Sequence, residues 1–162
     1  MTPFEPAEYA LAGFCLRPLV SADAAPLAAA LATLDPWATL GFKASALATY
    51  LDRDDPALAR YIAERDGIPS GLLVVRHPWL RGPTIELLAV LPAAQGGGIG
   101  GAMVEWTARR AAEVSANLWA CVSAFNAPAR AFYARHGFIE TATLVDLVAP
   151  GFDEILVRKR LR

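Results

Sequence analysis

Apolar residues cluster with strand-like density from Phe14 to Val20, and the alanine-rich stretch that follows takes helical spacing up to the Asp35-Pro36 break. Ser21 reads as the cap of that helix. A second helix is predicted from Ser45 to Leu51, ending in the turn-rich Asp52-Arg53-Asp54-Asp55-Pro56. Two strands come next, Leu58 to Arg65 and Gly71 to Arg76, joined by the hairpin signal Asp66-Gly67. His77-Pro78 and Trp79 then read as loop, as does Trp37 between the first two helices. A strand from Thr84 to Leu91, a glycine-rich loop, a helix from Ile99 to Val114 and a strand from Leu118 to Val122 complete the middle of the chain.

The last third opens on a short helix predicted over residues 127 to 136. Asn126 is a good N-cap, Pro128 suits a first turn, and Gly137 suits the left-handed position past the C-terminus. Helical spacing puts Asn126, Ala129 and Tyr133 on one face and directs Phe132 away from them, toward the core. Strands Phe138 to Val148 and Ile155 to Leu161 close the chain around Ala149-Pro150-Gly151. No repeat, low-complexity tract or linker interrupts this order, so residues 1–162 are expected to form a single domain.

Composition narrows the partners. The chain has 162 residues, of which 55% are hydrophobic, enough to bury roughly 70% of its unfolded surface. A net charge of -1 lacks the basic excess of nucleic-acid readers, and Arg158-Lys159-Arg160 reads as the solvated edge of a strand. Cys15 and Cys121 lie in apolar runs without CxxC spacing or a nearby histidine, so free buried thiols are expected and no metal site. The N-terminus, with Glu5 and Glu8, does not read as a signal peptide, and no apolar run approaches about 18 residues. A cytoplasmic protein with no membrane partner is the expectation.

The chemistry concentrates in Gln95-Gly96-Gly97-Gly98-Ile99-Gly100-Gly101, between a strand and a helix. Such a loop turns bare amides and the positive end of a helix toward one point, which suits a phosphate. A P-loop requires Lys followed by Ser or Thr after its last glycine, and here Ala102-Met103 follows Gly101. The dinucleotide pattern is formally met by Gly96, Gly98 and Gly101. However, the next strand runs into Ser123-Ala124-Phe125-Asn126, with no carboxylate for a ribose.

Gln95-x-x-Gly98-x-Gly100 instead resembles the fingerprint of the GNAT superfamily of acyl-CoA-dependent N-acyltransferases, and Asn126, Ala129, Phe132-Tyr133 and Gly137-Phe138 resemble that family's next helix and strand. The order of elements is also the one this fold uses. The resemblance implies an α/β fold: a mixed, mostly antiparallel seven-stranded sheet flanked by about four helices, its fourth and fifth strands splayed.

The resemblance also implies acetyl-CoA as co-substrate, no metal, and acetyl transfer to a primary amine of a small molecule or peptide by direct attack. The residues from Gln95 through Gly96, Gly97, Gly98, Ile99 and Gly100 to Gly101 would hold the diphosphate. Backbone groups of Leu88, Ala89 and Val90 would hold the pantetheine, and Asn126, Ala129 and Tyr133 would line the channel. Tyr133 matches the family's general acid; the alternative is a core tyrosine paired with Phe132. Glu86 is the candidate base, on the strand face it shares with Leu88 and Val90, where partial burial would raise its basicity; the alternative is a solvated or salt-bridged carboxylate. Asp146, Asp153 and Glu154 beside the final hairpin, with Trp37 and Trp79 in loops that border the acceptor cleft in this family, are candidates for binding a cationic acceptor; the alternative is that charges near such a turn are simply solvated. Two readings stay open beside this one: a non-catalytic acyl-CoA-binding module, and a homodimer built through strands or helices, as many relatives are.

Overall fold

The computed structural model describes residues 2–162. Its strands are β1 (Tyr9–Leu11), β2 (Phe14–Pro18), β3 (Leu58–Arg65), β4 (Ile68–Trp79), β5 (Gly82–Val90), β6 (Asn117–Ser123), β7 (Ile139–Ala149) and β8 (Phe152–Arg160). Its α-helices are α1 (Ser21–Leu31), α2 (Ala44–Asp52), α3 (Ile99–Ala112) and α4 (Ala127–Arg135). The class is mixed α/β, as expected, with the strands in the order β1-β2-β3-β4-β5-β6-β8-β7. Eight strands stand among the described residues where seven were expected. The addition is β1, three residues paired to β2 around Gly13 (φ 84°) and too short to carry a periodic signal.

The residues pack as two compact units. One is built from residues up to 19, 55–119 and 159–162, the other from residues 20–54 and 120–158. In the first, β2 to β5 form consecutive antiparallel pairs. Leu72, Leu73, Val74 and Val75 are all fully buried, because both faces of β4 are covered; this explains a continuous apolar run where a half-exposed strand would alternate. The β3–β4 turn is the expected one, with Asp66 and Gly67 both left-handed at φ 52° and 73°. α3 buries a stripe at helical spacing, Ile99, Met103, Trp106 and Ala111. Trp106 closes an aromatic cluster with Tyr9 and Tyr61, at centroid separations of 5.0 and 5.1 Å.

β4 corrects one expectation. It runs through His77, Pro78 and Trp79, which the proline had marked as loop. Tertiary contacts hold the segment extended: His77 N–H donates to Ala57 O (2.9 Å), and the Trp79 ring meets Trp119 edge-on at 6.0 Å.

In the second unit α1 and α2 pack together. The cap of α1 is Val20, one residue earlier than expected, because the Asp23 carboxylate accepts from Val20 N–H (2.9 Å) and draws Ser21 into the first turn. β7 lies at the end of the strand order and exposes Ile139, Val145 and Leu147, whereas its partner β8 buries Glu154 to Val157. α4 forms as predicted, with Asn126 Oδ1 accepting from Ala129 N–H (3.2 Å) and Gly137 at φ 83°.

Its inward residue is nevertheless Tyr133, not Phe132. Tyr133 is 7% exposed and packs edge-on against Phe132 (5.4 Å) and Phe138 (5.1 Å). Phe132 is half-buried and lies against His136 at 4.6 Å. Phe138 supplies the deciding contact, and helical spacing alone could not place it.

Candidate active site

The glycine loop belongs to the first unit. β5 ends at Val90, and Pro92 to Ala94 form a single 3-10 turn. Gln95 Nε2 then donates back to Val90 O (3.1 Å), fastening the loop to the strand. Gly96 and Gly98 both sit at φ 80°, and an added Cβ on either would find nothing within 4 Å. Glycine is required there by conformation, and its bareness keeps the backbone open to a ligand. Gly98 caps α3 without a side-chain bond, and the first helical hydrogen bond runs from Ala102 N–H to Gly98 O (3.0 Å). The amides of Ile99, Gly100 and Gly101 therefore precede any intrahelical acceptor, at the positive end of a fourteen-residue helix. A group carrying a diphosphate fits this cradle in charge and in backbone geometry.

In the second unit Tyr133 is close enough to Cys121 of β6 to feel its thiol. Among the described residues its hydroxyl has no hydrogen-bond partner, and burial, followed by the Cys121 thiol, raises its pKa well above the usual phenol range. A phenol so placed keeps its proton at any working pH and has it free to give. Cys121 is pushed up to about 11, by desolvation first and then by Glu154, so it stays a thiol.

A family model for the acetyltransferase (GNAT) family matches residues 27–138, well over half of the chain. The chain belongs to the GNAT acetyltransferase family. It is accordingly a transferase. Comparison with curated proteins gives no match. Among solved structures, nourseothricin acetyltransferase is 29% identical, with 67% of this chain and 68% of that one covered, at a TM-score of 0.61. An acetyltransferase from Thermus thermophilus shares the fold at 22% identity and TM-score 0.70, covering 90% and 95% of the two chains. A GNAT family acetyltransferase from Elizabethkingia anophelis, with acetyl-CoA bound, does so at 18% identity and TM-score 0.70, covering 91% and 98%. No helix among the described residues is long and apolar enough to cross a membrane.

The GNAT fingerprint explains the loop but not Arg65, which sequence reasoning missed. This residue ends β3, its Nε donates to Gly13 O (3.1 Å), and a Cβ at Gly97 would lie 3.4 Å from its Nη1. A fixed guanidinium thus lies against the loop. Only the strand pairing brings it there, and nothing near Arg65 in the sequence marks it.

Glu86 is exposed, so the burial expected to raise its basicity is absent. Its carboxylate instead holds Arg76 at 2.8 and 3.4 Å, and Arg76 reaches Asp55 as well (3.2 Å). The salt-bridged alternative describes this geometry. Glu86→Gln is expected to leave the pH dependence of kcat/KM unchanged and to cost about 1 kcal/mol or less in a denaturant melt, as partly exposed ion pairs do.

Leu88, Ala89 and Val90 stand opposite Leu73, Leu72 and Gly71 of β4, with Leu88 and Val90 half-exposed on the face shared with Glu86. Trp37 is half-buried in the turns between α1 and α2. Asp146 and Asp153 organise the β7–β8 hairpin: Asp153 Oδ1 accepts from Asp146 N–H (3.1 Å), and Asp146 Oδ1 accepts from Gly151 N–H (2.8 Å). Arg130 is bonded twice to Glu140, at 2.7 and 3.0 Å. Glu154, the third acidic candidate beside the final hairpin, is a carboxylate buried against Ser123, so it is not the solvated charge that the turn suggested.

Proposed function

We propose that this GNAT enzyme transfers the acetyl group of acetyl-CoA to a primary amine of a small molecule or peptide, by direct attack of the amine on the thioester. The observation that carries the reading is the glycine loop, with two left-handed glycines, a helix N-terminus without a side-chain cap, and Arg65 against it. In this reading the amides from Gln95 to Gly101 and the Arg65 guanidinium hold the diphosphate. The backbone of Leu88, Ala89 and Val90 aligns the pantetheine, and Asn126 and Ala129 keep the cofactor-binding role that the family resemblance implies. Acetyl-CoA supplies an activated acyl carbon and a thiolate leaving group. Tyr133 supplies the proton that the thiolate needs, and Trp37 offers an aromatic face to the acceptor. Direct attack is favoured over an acetyl-cysteine route because Cys121, the thiol beside Tyr133, is held protonated.

Two measurements test this. Calorimetry with acetyl-CoA should register binding, and thiol release should appear when acetyl-CoA is mixed with one class in a library of polyamines, aminoglycosides, amino acids, peptide N-termini and nourseothricin. Binding without thiol release from any amine would instead favour a non-catalytic acyl-CoA-binding module. Arg65→Ala should weaken acetyl-CoA binding by roughly three- to tenfold, more at low ionic strength than at high, because the contact is exposed to screening. An affinity unchanged at low salt would remove Arg65 from the site.

A further inference from the structure

We infer that Glu154 is the general base of the reaction, and that it takes a proton from an acceptor that arrives as an ammonium ion. The inference rests on the acetyltransferase reading above and adds to it the acid–base partner of Tyr133 and the charge class of the acceptor.

Glu154 lies on β8 and is 6% exposed. Ser123, itself 3% exposed at the end of β6, donates from Oγ to Oε1 at 2.9 Å. The backbone keeps the two strands in register there, with Ala124 N–H donating to Asp153 O (2.9 Å). Among the described residues Glu154 has no cationic partner. Glu64, Glu86 and Glu140, all more exposed, are each paired with an arginine. A buried carboxylate without a cation costs stability, and a cationic ligand would offset that cost.

Its surroundings connect it to Tyr133. Cys121 and Ser123 alternate onto one face of β6; the Cys121 thiol feels the Glu154 carboxylate, and the Tyr133 phenol in turn feels that thiol. From β7 the residue opposite is Leu144, which carries no charge. On β8 the neighbour Asp153 is occupied with Asp146 N–H. The groups facing Glu154 are therefore a hydroxyl, a thiol and, beyond the thiol, a phenol. Burial raises the Glu154 pKa and the Ser123 bond pulls it partly back, which moves a carboxylate toward useful basicity.

The proton balance closes. Glu154 takes one proton from the ammonium, and the freed nitrogen forms the C–N bond as the C–S bond breaks. The sulfur takes the phenolic proton, the phenolate recovers the excess proton of the nitrogen through water, and Glu154 returns its own to solvent. The net yield is an amide, a thiol and one released proton.

Glu154→Gln and Ser123→Ala in the full chain test this, with kcat/KM followed from about pH 6 to about pH 10 on the best ammonium acceptor from the screen. Glu154→Gln should lose about a hundredfold near neutral pH, with the loss shrinking as the pH approaches the amine's own pKa and acetyl-CoA affinity unchanged. Ser123→Ala removes the bond that lowers the Glu154 pKa, so the acid limb should move to higher pH. A Glu154→Gln loss below about threefold, or equal at every pH, overturns the inference, as does an unmoved acid limb in Ser123→Ala. A readout without turnover uses Cys121: in a Cys15→Ser background, Glu154→Gln should speed its alkylation by iodoacetamide several-fold at about pH 8, and an unchanged rate counts against the carboxylate. Wild-type enzyme that acetylates no amine sinks the proposed function itself; wild-type turnover with an unaffected Glu154→Gln sinks only this step.

Discussion

Tyr133→Phe is expected to lower kcat by about a hundredfold or more while leaving acetyl-CoA affinity and the melting temperature close to wild type. The substitution removes one oxygen and keeps the ring, so the edge-on contacts with Phe132 and Phe138 survive. Among the described residues the hydroxyl bonds to nothing, so its loss strands no partner in the core. The sign with pH follows from the raised pKa. The active form carries the proton, and burial keeps it there beyond the usual phenol range, so the wild-type enzyme should show no basic limb from this group below about pH 10. The deficit of the variant should then be flat across neutral and mildly alkaline pH, unlike that of Glu154→Gln. Stopped assays of thiol release at saturating acetyl-CoA decide the matter. A Tyr133→Phe enzyme within about threefold of wild type would return the tyrosine to a packing role.

Gly82→Ala is expected to cost about 3 to 5 kcal/mol and to lower Tm by roughly 10 °C. A Cβ at this position would lie 2.5 Å from the Asn117 carbonyl oxygen and 2.7 Å from Ser115 Oγ, so the starts of β5 and β6 must move apart. That movement strains the two bonds received by the Arg81 carbonyl, from Ser115 Oγ (2.7 Å) and Asn117 Nδ2 (2.9 Å). Gly67→Ala is the control. Gly67 is left-handed at φ 73° with nothing within 4 Å of an added Cβ, so its cost is conformational strain alone, about 1 to 2 kcal/mol. Thermal melts in which the two variants fall by equal amounts would contradict the close approach at Gly82.

Much of the fold was legible because local signals agreed with one another. Asp66-Gly67 gave the turn that occurs, and Asn126, Pro128 and Gly137 bracketed α4 to within a residue. The candidate site was legible in part. The glycine loop was visible because its chemistry is main-chain chemistry, and main-chain freedom is written directly in glycine spacing. Glu86 misled for a local reason: strand alternation gave its face correctly, but only a cross-strand partner, Arg76, shows what the carboxylate does. Helical spacing puts Tyr133 on a polar face, and only Phe138, packed against its ring, shows that this face is covered. Glu154 could be grouped with Asp146 and Asp153 as an acceptor-binding charge, but its burial, set by β6, has no local signal.

By itself the sequence determined the order of elements, the turns, and a loop of bare amides opening α3, since each depends on backbone preferences spanning a few neighbouring residues. Only the tertiary structure decided that Arg65 lies against that loop, that β4 continues through Pro78, and that Glu154 is buried with Ser123 for company. The reason is physical: burial and ion pairing are properties of groups far apart along the chain, and no local pattern records which of them will meet.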